Sequence, residues 1–334
     1  MRVLITGVSG MVGSHLVDYL LEETDWELWG MVRWRSSQVN IEHLFSESNK
    51  QGRLNFIDGD LTDQSSLIRV LQKSNPDYIF HLAAQSYPTT SFTSPQQTFD
   101  TNINGTLKIL DSIRLLQLDP IIHICSSSEV YGRVSKEDLP ITENSPFKPA
   151  SPYSISKVGA DLLSKFYFEA YGMKTLTTRM FSHTGPRRGE VFAESSFAKQ
   201  IAMAENGAQP PKVRVGNLNS LRTWADVRDA VRAYYMLVTI NPVFGETYNI
   251  GGQNVATVGE MLNKLISFST LSNIEIEEVA DRIRPLDADL QIPDTTKFSE
   301  HTGWAPRISF DKTLQDLLDY WRVRVKKENF RVDL

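Results

Sequence analysis

Cysteine is nearly absent: Cys125 is the only one in 334 residues. That excludes an internal disulfide framework and any thiolate cluster around a metal, and a reducing cytoplasm is the expected setting. Charge of one sign is lacking too, since 35 Lys and Arg against 40 Asp and Glu leave a net charge of −5. Neither nucleic acid nor an anionic membrane is therefore an expected partner. No apolar run approaches the about 20 residues that span a bilayer. A strand-forming run already begins at Arg2, so no signal peptide is expected. The six histidines stand singly, without metal-ligand spacing, and no metal is expected. Internal repeats and low-complexity segments are missing as well.

What is present suits a large globular fold of one domain or two joined ones. Residues 2–6 form a β-branched, apolar run fit for a buried parallel strand. Gly7, Gly10 and Gly13 follow, then an apolar-periodic helix over 14–21. Between a first strand and a helix, these glycines permit a tight turn, close approach of backbone to a pyrophosphate, and close packing of the helix on the sheet. A second strand over 27–32 ends at Arg33, Trp34, Arg35, Ser36 and Ser37. An acid at that point would bind a free ribose 2′-hydroxyl, whereas arginines with serine accommodate a 2′-phosphate, which favours NADP over NAD.

Strands over 54–57 and 78–84 come next, and Asp60 and Asp63 lie between them as adenine-side or helix-capping residues. Small side chains at Ala83 and Ala84 leave room for a cofactor at the end of the fourth strand. A helix over 102–113 leads to the apolar run 120–124, which ends in Cys125, Ser126, Ser127, Ser128 and Glu129. Tyr153 and Lys157, one helical turn apart, share a face. An ammonium at that spacing favours the phenolate and suits the tyrosine to act as a base, with a strand-end hydroxyl beside it and Glu129 as a second candidate base. Alternating strands and helices predict an α/β Rossmann-type doubly wound parallel sheet.

Beyond a strand over 175–179 the alternation loosens, with shorter strands over 213–216, 217–227, 246–251 and 274–279 and a closing helix over 313–322. The expected division is a cofactor-binding domain over 1–180 and a smaller, partly interleaved substrate-binding lobe over 181–325. Arg187, Arg188, Arg222 and Arg284 sit on loops of that second half as candidates for an anionic substrate group.

Thr6-Gly7, Gly10, Gly13, Asp60-Leu61, His81-Leu82-Ala83-Ala84 and the Tyr153–Lys157 pair resemble the ordered landmarks of the extended short-chain dehydrogenase/reductase family. Within it the chain is most similar to GDP-mannose 4,6-dehydratases, through Val32-Arg33 with Arg35-Ser36-Ser37, Ile41-Glu42-His43-Leu44, Ala84-Gln85-Ser86, Ser128-Glu129-Val130-Tyr131-Gly132 and Gly185-Pro186-Arg187-Arg188-Gly189-Glu190. The resemblance implies catalysis by Ser127, Glu129, Tyr153 and Lys157. It implies NADP held by Gly7, Ser9, Gly10, Met11, Val12, Gly13, Arg33, Arg35, Ser36, Asp60, Leu61, Leu82, Ala83, Ala84, Ser86, Tyr153, Lys157 and His183. GDP-mannose would meet Ser86, Ser128, Glu129, Ser182, Arg188, Lys199, Arg222 and Arg284.

The implied reaction is redox-neutral: hydride leaves sugar C4 for NADP, Glu129 removes the C5 proton as water leaves C6, and hydride returns to C6. Members of the family are commonly homodimers or homotetramers. The chain departs from the dehydratase pattern with Ser127 in place of Thr, Ser182 in place of Asn, and Ser195-Ser196 where an Arg-Lys pair is usual. Its 302–304 and 313–322 segments are equally similar to GDP-6-deoxy-4-keto-mannose reductases. That reductase, a nucleotide-sugar epimerase and a non-catalytic dinucleotide sensor are the alternatives; Glu129 disfavours the first two, and the intact catalytic set disfavours the third.

Overall fold

A computed structural model of the chain describes residues 1–45, 52–282 and 288–332, with the side chains of 281 and 328–332 excepted. Its strands run β1 (Arg2–Thr6), β2 (Glu27–Val32), β3 (Leu54–Asp58), β4 (Tyr78–His81), β5 (Ile121–Cys125), β6 (Thr175–Met180), β7 (His183–Thr184), β8 (Lys212–Val215), β9 (Leu221–Asp226), β10 (Thr247–Ile250), β11 (Asn254–Thr257), β12 (Glu275–Glu278) and β13 (Leu290–Gln291). Seven of them form one parallel sheet in the order β10-β6-β5-β4-β1-β2-β3. Thr6 pairs with both Met31 and His81, so the carboxyl ends of β2, β1 and β4 reach one edge, where doubly wound sheets bind ligands.

Period-two alternation divides the sheet's side chains between two cores. Val3, Ile5, Leu28 and Phe80 pack against Leu16 and Leu20 of helix α1 (Met11–Glu23) on one face. Leu4, Ile79 and Ile122 pack on the other with Leu71 of α2 (Gln64–Ser74), Leu110 of α3 (Gly105–Leu115) and Tyr167 of α4 (Pro152–Tyr171). The expected helix over 102–113 opens instead with a π-helical turn, Asp100–Asn104. There the Asn102 amide exchanges hydrogen bonds of 2.8 and 2.9 Å with Gln85 and donates to Ser156 Oγ at 2.9 Å, tying the exit of β4 to α4.

A separate core joins Phe197 and Ile201 of α5 (Ala193–Glu205) to Val213, Val215, Leu317 and Trp321. The second half is interleaved with the first, because β10 closes the large sheet and Tyr234 and Leu237 of α6 (Val227–Thr239) enter the α1 core. The strand expected over 217–227 starts only at Leu221, after a loop, and the closing helix runs over Phe310–Val332, longer than 313–322. Among the described residues no helix is long and apolar enough to cross a membrane, and no three side chains are grouped to hold a metal.

Candidate active site

The β1–α1 turn is built for close approach. Gly7 takes a φ of +73°, which L side chains rarely adopt, and a Cβ on Gly13 would lie 2.3 Å from the Gly7 carbonyl oxygen. Gly10 caps α1 without a side chain, leaving the first-turn amides free to meet an anion. The Thr6 hydroxyl accepts from the Leu82 and Ala83 amides at 3.1 Å each and hydrogen-bonds His81 Nδ1 at 3.0 Å, which locks the end of β4 beside this turn. Burial, with Lys157 nearby, lowers His81 to about 3, so that ring is a neutral structural element.

One cavity of about 930 Å³ runs from this turn across the strand ends to α5. Its lining includes every cofactor residue expected from the sequence except Arg35, and every catalytic one. Arg35 has a φ of 61° and stands exposed outside the lining, while Arg33 and Ser36 stay within it. Asn40, which the sequence did not single out, donates to the Ser9 carbonyl at 3.2 Å and to the Arg187 carbonyl at 3.4 Å. It joins the glycine turn to the 185–190 loop. The glycine cradle, the small β4 exit and the open amides together fit a dinucleotide.

Ser127 caps a 3₁₀ turn over Ser128–Val130, its hydroxyl accepting from the Glu129 amide at 3.2 Å. Ser151 and Ser154 form a capping box at the start of α4, fixing the register that presents Tyr153 and Lys157. Burial pushes the Tyr153 phenol above its ordinary value; the Ser127 hydroxyl and Arg188 pull it back, while Cys125 and Glu129 add to the rise. Burial also lowers Lys157, whose Nζ donates to the Cys125 carbonyl at 2.8 Å. In the protein alone, then, desolvation outweighs the stabilisation of phenolate expected from the helical spacing.

Across the cavity Arg222 Nη1 stands 3.8 Å from Glu129 Oε1. Arg188 donates to Glu194 at 3.0 Å and lies 3.5 Å above the Phe192 ring, which holds its guanidinium in place. His183, lowered to about 4 by burial and then Arg188, hydrogen-bonds the Phe181 carbonyl at 3.1 Å. Ser86, Ser128 and Ser182 also line the cavity. Lys199 does not: it pairs with Glu190 and sits 5.3 Å over Trp321. Arg187 lines it but turns its charge to Asp18 at 2.6 Å. Arg284 lies outside the described residues. The cavity adds Asn217 and Ser220, from the polar loop after Gly216, and Arg282, from the turn after β12.

A model of the GDP-mannose 4,6-dehydratase family matches residues 4–317. The chain belongs to that family. The GDP-mannose 4,6-dehydratase of Yersinia enterocolitica is 30% identical over 349 residues, covering 95% of this chain and 92% of its own. GDP-mannose 4,6 dehydratase 2 of Arabidopsis thaliana is 32% identical over 99% of this chain and 89% of its own. Among solved structures, a dTDP-glucose 4,6-dehydratase from Streptomyces venezuelae with NAD bound superposes with a TM-score of 0.87 at 26% identity, covering 98% of both chains. The Pseudomonas aeruginosa protein RMD, complexed with NADPH, gives 0.81 at 27% identity over 97% of this chain and 100% of that one. Ser127, Glu129, Tyr153 and Lys157 all line the one cavity that the glycine turn enters.

Proposed function

We propose that this protein converts GDP-D-mannose to GDP-4-keto-6-deoxy-D-mannose. The observation that carries the reading is a carboxylate, Glu129, and a phenol, Tyr153, opening from different elements into the cavity that the glycine turn enters. A nicotinamide bound at the strand ends supplies the hydride acceptor and donor. Tyr153 takes the proton of the sugar 4-hydroxyl, and the Ser127 hydroxyl hydrogen-bonds the same oxygen. Lys157, fixed by the Cys125 carbonyl, favours the phenolate at that moment. The 4-keto group acidifies C5–H; Glu129 removes that proton and passes it to the C6 hydroxyl, which leaves as water, and the C5=C6 bond so formed would take back the hydride at C6 and a solvent proton at C5. Arg188 and Arg222 face the diphosphate, with Asn217, Ser220 and Arg282 completing that end. Incubation with GDP-mannose and catalytic NADP, without NADPH, should yield a product lighter by one water with no net cofactor reduction. NADPH-dependent turnover of the 4-keto sugar in its place would contradict the reading.

NADP is favoured over NAD because Arg33 and Ser36 line the cavity at the end of β2, where no acid stands. Arg33→Ala should weaken NADP binding about tenfold, the loss of one charge-assisted hydrogen bond, and NAD binding less than twofold. Equal losses in a fluorescence titration would contradict the assignment.

Residues 1–180 are read as the cofactor domain and 181–325 as the substrate lobe that lends it β10. The enzyme is read as a cytoplasmic homodimer or homotetramer. Ile155, Leu162 and Phe166, 47, 53 and 51% exposed, recur along one face of α4 at the spacing of a helical stripe, suited to a second copy. Phe166→Glu should halve the mass measured by light scattering while leaving the fold intact; a wild-type protein already monomeric would remove this assembly.

A further inference from the structure

Ser126 is the one hydroxyl of the 126–128 serine run without a task in the account above. Its backbone N–H donates to the Thr178 carbonyl at 2.8 Å, so it continues the pairing of β5 with β6 and is held as firmly as the strand itself. The side chain is 3% exposed, its Oγ has no hydrogen-bond partner, and the residue lines the cavity. Its neighbours are committed elsewhere: the Cys125 carbonyl to Lys157, the Cys125 thiol to Tyr234 at 3.5 Å, and the Ser127 hydroxyl to the Glu129 amide. A buried hydroxyl left unmatched is destabilising, and at a cavity wall a ligand that enters the cavity is within its reach as a partner.

We infer that Ser126 is a cofactor-positioning residue, its hydroxyl hydrogen-bonding the nicotinamide half of the bound dinucleotide. The dinucleotide rather than the sugar is assigned because Ser126 is still within the strand pairing and next to the Lys157 anchor. Ser127, by contrast, caps the 3₁₀ turn, and Ser128 and Glu129 lie within it. This rests on the reading that a nicotinamide dinucleotide occupies the strand ends.

The test is Ser126→Ala, which removes the hydroxyl and little volume. Titrated with NADPH, followed by its fluorescence, the variant should bind about fivefold more weakly or worse, while calorimetric binding of GDP stays within twofold. Without ligand its melting temperature should hold or rise, by about 2 °C, because a buried unmatched group is gone. NADPH affinity within twofold of wild type overturns the inference. So does a lowered melting temperature without ligand, or an equal loss for NADPH and GDP, each of which marks a purely structural hydroxyl. Failure of the wild type itself to bind NADPH overturns the cofactor reading instead. Ser126→Thr, which restores the hydroxyl, should recover most of the NADPH affinity.

Discussion

Tyr153→Phe is expected to lower kcat about 10³-fold while leaving NADPH and GDP-mannose binding within about threefold. The ring is buried and carried by a capped helix, so phenylalanine keeps the packing and loses only the ionisable oxygen. Burial raises that phenol in the protein alone, and the Ser127 hydroxyl and Arg188 pull it back only in part. The histidines do not substitute for it. His81 and His183 are lowered to about 3 and about 4 by burial and stay neutral above pH 5, so a limb in the rate profile between pH 5 and 8 belongs to neither. A loss of kcat smaller than tenfold, measured by product formation under saturating substrate, would take the proton-transfer role from Tyr153.

Glu129→Gln is expected to reduce dehydration by about 10³-fold and to stop solvent deuterium from entering C5. The amide has the shape of the acid but cannot take a proton. Binding should change less than threefold, because the pair Glu129 makes with Arg222 is long, at 3.8 Å, and both partners keep other surroundings. The same variant separates the two nearest chemistries, since reduction of a 4-keto sugar requires no C5 base. Undiminished deuterium exchange at C5 would remove Glu129 from the elimination.

Much of this was legible in the chain itself, for a local reason. The glycine turn follows its strand directly, and Tyr153 and Lys157 are one turn apart, so neighbouring residues decide where those groups point. Where the sequence fell short, a distant partner decides. Arg187 turns to Asp18 on α1, Lys199 is drawn to Glu190 and Trp321, and Arg35 leaves the cavity on a left-handed backbone. Asn217, Ser220 and Arg282 come together only because β8, β9 and the segment after β12 meet over α5, and no spacing along the chain encodes that meeting. Spacing likewise predicted a favoured phenolate, but it carries no measure of burial, and burial raises Tyr153 and lowers Lys157 in the protein alone.

The most direct test of the account uses GDP-mannose deuterated at C4 of the sugar, with catalytic NADP in ordinary water. An internal transfer predicts that the label appears at C6 of the 4-keto-6-deoxy product, with one solvent proton at C5 and no label in the medium. Label lost to the medium, or no product until NADPH and a 4-keto sugar are supplied, would contradict it.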